Sequence, residues 1–341
     1  MIKFIGSKRK LLNVIYDASL KDFPGELESV IDMFSGTSRV GRHFKSKGHR
    51  VISNDYSNFG KVLADCYVVA DREKYLIDAQ KLVDEYNSST TSTSGWFTDQ
   101  YCNRSRFFMP KNGARVDWIR EDLETRSLDP ILKSIMLTSL MKAADSVDST
   151  CGVQMAYLKQ WAKRAEKDLF LKVPELLPAS PFGVCESHKG LAEDKSTTLS
   201  ADLVYLDPPY NNHNYLGNYH IWESLVLWDK PDTYGVAHKR VDTKENKSEF
   251  NGKHKAYPAM AKVIENISNN TKRAVVSYSN EGHIGYSDML TLLASYGRTV
   301  VVEVDYKRYV GAVIGVYNDK GVKVGKPTHT KNKEYIFVTD F

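Results

Sequence analysis

Cysteine is scarce in this 341-residue chain, and Cys66, Cys102, Cys151 and Cys185 lie far apart without forming a Cys-x-x-Cys pair. That spacing supports neither a disulfide framework nor a zinc ribbon, and the four read as buried thiols. Long apolar runs are missing too. No stretch of about 18 apolar residues occurs, and the first ten residues hold no apolar core of secretory-signal length, so a cytosolic chain without membrane contact is expected. Neither His213 nor His220 reads as a zinc ligand, and no metal is expected. Charge of one sign is not dominant either: the 47 Lys and Arg against 42 Asp and Glu leave +5, which permits a polyanionic partner without requiring one. With 42% hydrophobic and 26% charged residues, the chain has the composition of an ordinary globular protein, and its length suits one large domain or two smaller ones.

What the sequence does contain is concentrated in Leu203 to Asn211, Leu-Val-Tyr-Leu-Asp-Pro-Pro-Tyr-Asn. Four mostly apolar residues are long enough for a strand buried in a parallel sheet, and the proline pair ends it because proline has no amide hydrogen to donate. Asp207 then falls at the carboxyl end of the strand, where open α/β sheets bind ligands. An acceptor, the rigid carbonyls of Pro208 and Pro209, and the aromatic face of Tyr210 together suit a planar ligand that donates from an amino group.

A second unit lies upstream. Val30 to Phe34 reads as a strand, Ser35-Gly36-Thr37-Ser38-Arg39-Val40-Gly41 as a turn into a helix, and Arg50 to Asn54 as a further strand ending on Asp55. A glycine turn followed about 20 residues later by an acid is the arrangement that grips ribose hydroxyls. A dinucleotide fingerprint would place glycine at Ser38, and a P-loop would place Lys and a hydroxyl residue at Arg42 and His43, so nicotinamide and nucleoside triphosphate readings lose weight. Either an adenosine-containing ligand binds here or this is a plain βαβ core unit. Before it, Phe4 to Lys8 forms a loop whose amides and Lys8 suit an anion.

From residue 58 to residue 170 helical stripes dominate: Val62 to Ala70, Ile119 to Leu123, Ile131 to Leu140, and Tyr157, Leu158 and Trp161. Two polar stretches interrupt them. One, from Asn87 to Gly95, is rich in Ser and Thr; the other, from Tyr101 to Arg115, sets Arg104, Arg106, Lys111 and Asn112 around Phe107 and Phe108. The second suits phosphate gripping and base reading, or equally a solvated loop anchored by its aromatics. Phe182 to Glu186 reads as a returning strand. After the proline pair comes a polar, aromatic run, Asn211, Asn212, His213, Asn214, Tyr215, Asn218, Tyr219 and His220, suited to a loop closing over substrate. A basic run from Gly235 to Lys255 follows, which either tracks a backbone or is simply solvated. Arg273 to Tyr278, Thr299 to Tyr306 and Glu334 to Thr339 read as strands, the last two as an antiparallel closing pair.

Taken in order, Phe4-Ile5-Gly6-Ser7-Lys8, Asp32-Met33-Phe34-Ser35-Gly36-Thr37, Asp55 and Asp207-Pro208-Pro209-Tyr210 resemble the DNA adenine-N6 methyltransferases of the alpha, Dam-like class. Asn211 and the Asn218-Tyr219-His220 run are similar to the subgroup containing the FokI-type modification enzymes. The resemblance implies a Rossmann-like α/β fold with a catalytic part formed by residues 1–57 and 171–341, and a mainly helical target-recognition insertion at 58–170. It implies S-adenosylmethionine as cofactor, contacted by Phe4, Lys8, Asp32, Phe34, Ser35, Gly36, Thr37, Asp55 and Glu186: the methionine carboxylate near Gly36, Thr37 and Lys8, the ribose on Asp55, the adenine against Glu186. Double-stranded DNA is the implied partner, with a cognate restriction endonuclease in the same system. Asp207, Pro208, Pro209 and Tyr210 become the catalytic set, and Arg104, Arg106, Lys111, Asn112, Asn211, Tyr215, Tyr219 and His220 candidate DNA contacts. Ser38 departs from the family's second glycine, and Glu186 stands where aspartate is frequent. RNA adenine-N6 transfer, DNA cytosine-N4 transfer and noncatalytic DNA binding remain as alternatives.

Overall fold

The computed structural model describes residues 1–307, 316–317, 323–325 and 331–341. Seven strands, β1 (Ser29–Asp32), β2 (Arg50–Asp55), β3 (Glu186–Lys189), β4 (Leu203–Leu206), β5 (Arg273–Ser279), β6 (Arg298–Lys307) and β7 (Lys331–Asp340), pair in the order β3-β2-β1-β4-β5-β7-β6. The first five are parallel; β7 runs antiparallel to both β5 and β6.

The central strands are buried almost throughout because both faces are covered. On one face Val30, Val51, Leu203 and Tyr205 pack against Leu11 and Ile15, the latter on α1 (Leu12–Leu20), and against Val40 and Phe44 of α2 (Arg39–Ser46). On the other, Ile31, Ile52, Val204 and Leu206 meet Met260, Val263 and Ile264 of the helix Ala256–Ser268 and Met289 and Leu293 of the helix Tyr286–Ala294. The alternation along each strand is the period of two that a pleated ribbon imposes.

The chain leaves β1 toward β2 and β3, and later re-enters on β1's other side as β4. This reversal opens a crevice at the carboxyl ends of β1 and β4, where doubly wound sheets bind ligands. The register Asp32↔Tyr205 brings the ends of both strands to that crevice.

Between β2 and β3 the chain is mostly helical: α3 (Asn58–Ala64), α4 (Arg72–Ser88), α5 (Pro110–Thr125) and α6 (Pro130–Ser146). Their ends are stopped locally. Ser57 Oγ accepts from Gly60 N at 3.1 Å, Asp129 Oδ1 accepts from Ile131 N and Leu132 N, and proline opens both α5 and α6. The helices share one apolar core with Ile221, Trp222 and Leu225 of α7 (His220–Leu227), so the insertion packs onto the segment that follows the proline pair. Among the described residues no helix is long and apolar enough to cross a membrane.

Three local expectations need correction. No helix carries Tyr157, Leu158 and Trp161: Tyr157 bridges to Thr150 and packs edge-on against Phe107 at 5.2 Å, while Trp161 receives the Arg106 guanidinium at 4.7 Å, so these aromatics pin an irregular strap. The strand expected at 182–186 begins only at Glu186, because Gly183 at φ +118° breaks the extended backbone just before it. β3 is therefore a polar edge strand. The polar stretch 101–115 is largely helical: its first part winds into a wide turn, Asp99–Asn103, and Lys111, Asn112 and Arg115 lie in the first turns of α5.

Candidate active site

Where β1 and β4 end, a cleft of roughly 980 Å³, partly open to solvent, is lined by Lys8, Phe34, Gly36, Asp55, Asp207 and Tyr210 among others. The sequence had placed Phe4, Asp32, Ser35, Thr37 and Pro209 at one site with them, and all five line the same cleft.

The glycine turn forms one wall. Gly36 has φ +49°, and a Cβ there would meet the Phe4 ring at 3.4 Å. Its amide donates to Asp55 Oδ2 at 2.7 Å, while Asp55 Oδ1 accepts from Ser57 N at 2.9 Å and Ser57 Oγ at 2.6 Å. Asp55 thus ties the turn after β1 to the end of β2. Ser38, standing where a dinucleotide motif has glycine, adopts the left-handed conformation itself at φ +57°. Further on, Gly41 lets α2 pack against the sheet: a Cβ there would come within 3.1 Å of Asp32 Oδ2 and Ser53 Oγ. Its amide donates to Asp32 Oδ2 at 2.8 Å.

The other wall is the proline turn. Asp207 Oδ1 lies 2.9 Å from Lys8 Nζ, and Lys8 Nζ lies 2.8 Å from Glu334 Oε1. His283 N donates to the Tyr210 carbonyl at 2.9 Å, and Asn251 Nδ2 donates to the Asn211 carbonyl at 2.8 Å, so the turn is held from two later segments. The half-buried Tyr210 ring makes an edge contact with Tyr278 at 6.1 Å.

Burial dominates the electrostatics. It pushes the Asp32 carboxyl up to about 7, with Asp207 and Asp55 adding repulsion against the Gly41 hydrogen bond. It likewise pushes Asp207 up to about 6, outweighing the attraction of Lys8. Burial works against the Lys8 ammonium, but Asp207 and Glu334 more than reverse it and hold Lys8 charged. Asp32, Asp55 and Asp207 thus line one cleft with Lys8 and Arg39, and Glu334 holds Lys8 from behind, so the cleft carries an excess of carboxyl groups in a basic chain. A carboxyl whose pKa rises from 3.8 to about 7 on folding stabilises the fold at low pH and loses that contribution as pH rises through about 7. The free protein should accordingly lose on the order of 2 kcal/mol between pH 5 and pH 8 from this group. Chemical denaturation of Asp32→Asn should give a flatter profile over that window; an identical slope would sink the assignment.

Several expected contacts are corrected. Lys8 is engaged by Asp207 and Glu334 while lining the same cleft as Gly36 and Thr37 of the glycine turn. The cation near that turn is Arg39, whose Nε is buried without a hydrogen-bond partner, as are Ser7 Oγ and Ser35 Oγ, and all three residues line the cleft. Glu186 does not reach the cleft: it sits at the amino end of β3, ion-paired with Arg50 and hydrogen-bonded to His188, while Gly190, Leu191 and Glu193 beyond the strand form that wall. Asn112, Tyr219 and His220 are buried in the core and present no surface to a partner. Asn112 bonds the carbonyls of Ala165 and Lys167, Tyr219 stacks on Phe4 at 4.5 Å and accepts from Ile5 N, and His220 reaches the Gln154 carbonyl. Tyr215 also stacks on Phe4, at 5.3 Å, and lines the cleft. Arg104, Arg106 and Lys111 are bound to Asp99, the Lys159 carbonyl and Asp168 respectively.

Sequence reasoning missed Arg39 and Glu334. Arg39, the first residue of the helix after the glycine turn, carried a readable signal as a cation at that helix end; Glu334, on the last strand, carried none.

A family model described as D12 class N6 adenine-specific DNA methyltransferase matches residues 4–281. Modification methylase StsI of Streptococcus sanguinis is 29% identical over 330 residues, covering 90% of this chain and 49% of that protein. Type II methyltransferase M.FokI of Planomicrobium okeanokoites is 28% identical, covering 90% and 50%, and M.NlaIII of Neisseria lactamica is 28% identical, covering 90% and 92%. The chain thus spans about half the length of the first two and nearly all of the third. With an Asp-Pro-Pro-Tyr turn facing a glycine turn across one cleft, and a family match over most of its length, the chain belongs to the D12 class of N6 adenine-specific DNA methyltransferases.

Proposed function

We propose that this chain transfers a methyl group from S-adenosylmethionine to the N6 amino group of adenine in duplex DNA, as the modification partner of a restriction endonuclease it need not touch. The observation that carries the reading is Asp207 at the end of a buried strand, beside the Pro208 carbonyl and across one cleft from Gly36 and Asp55.

The cleft's chemistry suits the cofactor. S-adenosylmethionine supplies an electrophilic methyl group on a sulfonium, and an excess of carboxylates favours so cationic a ligand. Arg39, Ser7 and Ser35, with unmatched donors, would hold its carboxylate; Asp55 would accept from ribose hydroxyls; Phe34 and Leu191 would border the adenine. Asp207 and the Pro208 carbonyl each accept one N6 hydrogen from the target base. That pair of acceptors favours a pyramidal nitrogen with its lone pair free to attack, so the chain contributes orientation and electrostatics. The target base must leave the duplex at a cost of roughly a few kcal/mol, and stacking on Tyr210, about 1–3 kcal/mol, offsets part of it.

On the DNA side, residues 58–170 and 211–255 flank the cleft and act together in target recognition. The second segment contributes three lysines: a hollow beside the proline turn is lined by Asn212, His213, Tyr234, Lys239, Lys244 and Lys247. These three lysines form no ion pair among the described residues, unlike Arg104 and Lys111. Replacing all three with alanine should weaken duplex binding and lower the salt slope by about 3, near 0.9 for each lost phosphate contact. Replacing Arg104, Arg106 and Lys111 together should alter the slope less; the reverse ranking in salt-dependent binding would move the DNA to the other surface.

The deciding experiment incubates the full chain with plasmid DNA or folded RNA and S-adenosylmethionine, followed by digestion to nucleosides and mass spectrometry. N6-methyldeoxyadenosine supports the reading. N4-methylcytosine, methylated RNA alone, or no product rejects it.

A further inference from the structure

Asp207 is not alone. Its Oδ1 and Glu334 Oε1 share the Lys8 ammonium at 2.9 and 2.8 Å, with side-chain exposures of 19%, 9% and 7% for Asp207, Glu334 and Lys8. Glu334 reaches this place because β7 runs antiparallel to β5: the register Glu334↔Ser279 sets the start of one strand beside the end of the other, at the ligand-binding edge. The family match ends at residue 281, so this acid lies outside it.

We propose that Glu334 is a positioning residue for methyl transfer: it neutralises the Lys8 ammonium, leaving the negative charge of Asp207 available to the target amino nitrogen. The inference rests on the function proposed above. As the amino lone pair forms the bond to the methyl carbon, the electron pair of the breaking carbon–sulfur bond stays on sulfur. The nitrogen then carries a positive charge until an N6 proton leaves to water. Two carboxylates around one ammonium keep a net charge of −1 facing that nitrogen. With Lys8 and Asp207 alone the net charge would be zero, and the developing cation would lose its counter-charge in a partly buried site where such terms are strong. Lys8 in turn fixes Asp207 Oδ1 and leaves Oδ2 for the base.

The test is Glu334→Gln in the full chain, which keeps shape and removes charge. The groups facing Asp207 are Lys8, Glu334, Asp32, Tyr205, Tyr210 and Tyr215, and only Glu334 changes. The single-turnover rate on duplex DNA at saturating cofactor should fall about 10- to 100-fold, with the cofactor Kd within threefold. The acid limb of the rate profile should move to lower pH, because Lys8 then acts on Asp207 undivided. A carbon-13 carboxyl NMR titration of the free protein should show the same downward move of Asp207 without any turnover. Glu334→Asp, which keeps the charge, should recover most of the rate, and Lys8→Gln combined with Glu334→Gln should exceed the single Gln variant. A wild-type rate and unmoved Asp207 midpoint in Glu334→Gln, or no gain in the double variant, overturns the role. A wild type that methylates no DNA overturns the proposed function and this role together; an active wild type indifferent to Glu334→Gln overturns this role alone.

Discussion

Asp207→Ala should reduce methyl transfer by at least about a thousandfold while cofactor affinity changes by less than about tenfold. The exocyclic amine of adenine is a poor nucleophile because its lone pair is delocalised into the ring. Only acceptors that draw both N6 hydrogens out of plane make that lone pair available. Alanine removes one of the two acceptors and the one carboxylate in a position to stabilise positive charge on the nitrogen. It also leaves Lys8 with Glu334 as its one ion-pair partner among the described residues. The wall proposed for the cofactor, with Gly36, Asp55 and Arg39, stands on the turn after β1, the end of β2 and the start of α2 and keeps its own hydrogen bonds. Single-turnover methylation beside calorimetric titration of the cofactor separates the two effects, and near-normal turnover would remove Asp207 from the chemistry.

Asp55→Ala is expected to do the converse, raising the cofactor Kd by at least about 100-fold and lowering stability by on the order of 2–4 kcal/mol. Three donors converge on this carboxylate, Gly36 N, Ser57 N and Ser57 Oγ, and its truncation leaves buried donors unpaired. The glycine turn would lose its tie to β2 just where ribose hydroxyls are to be accepted. Asp55→Asn, with one acceptor oxygen instead of two, would present its amide nitrogen to Gly36 or to Ser57, so it should fall between wild type and alanine. An unchanged Kd, measured by calorimetry without DNA, would reject both the ribose role and the tie.

The strands were legible wherever burial demanded apolar residues on both faces. Leu203 to Leu206 and Arg50 to Asp55 fall where their patterns put them. β3 was misplaced because an edge strand has less apolar burial to advertise, and the exposed Phe182 and Val184 imitate a core segment. Through motif order the resemblance named most of the residues that line the cleft, yet it did not give Lys8 its carboxylate partners, Asp207 and Glu334. A lysine in a basic N-terminal turn carries no sign in sequence of which carboxylate it will meet.

The DNA-facing residues were the least legible. Aromatic and amide side chains that suit base recognition suit a buried hydrogen-bonded core equally well, and Asn112, Tyr219 and His220 took the second use. His220 is held neutral by burial, its pKa pushed down to about 3.

By itself, then, the sequence determined the chemistry of the site: an acid at a strand end, two prolines that halt the ladder, an aromatic face, and a glycine turn followed by an acid. These follow from local rules, because backbone geometry and short-range spacing fix them. Tertiary structure alone decided which charges meet. The strand reversal about β1 brings Asp55 and Asp207 to one cleft, and the antiparallel return of β7 delivers Glu334 to Lys8 across more than 300 residues of chain. An ion pair of that separation depends on strand order and register, properties of the folded sheet that no single segment encodes.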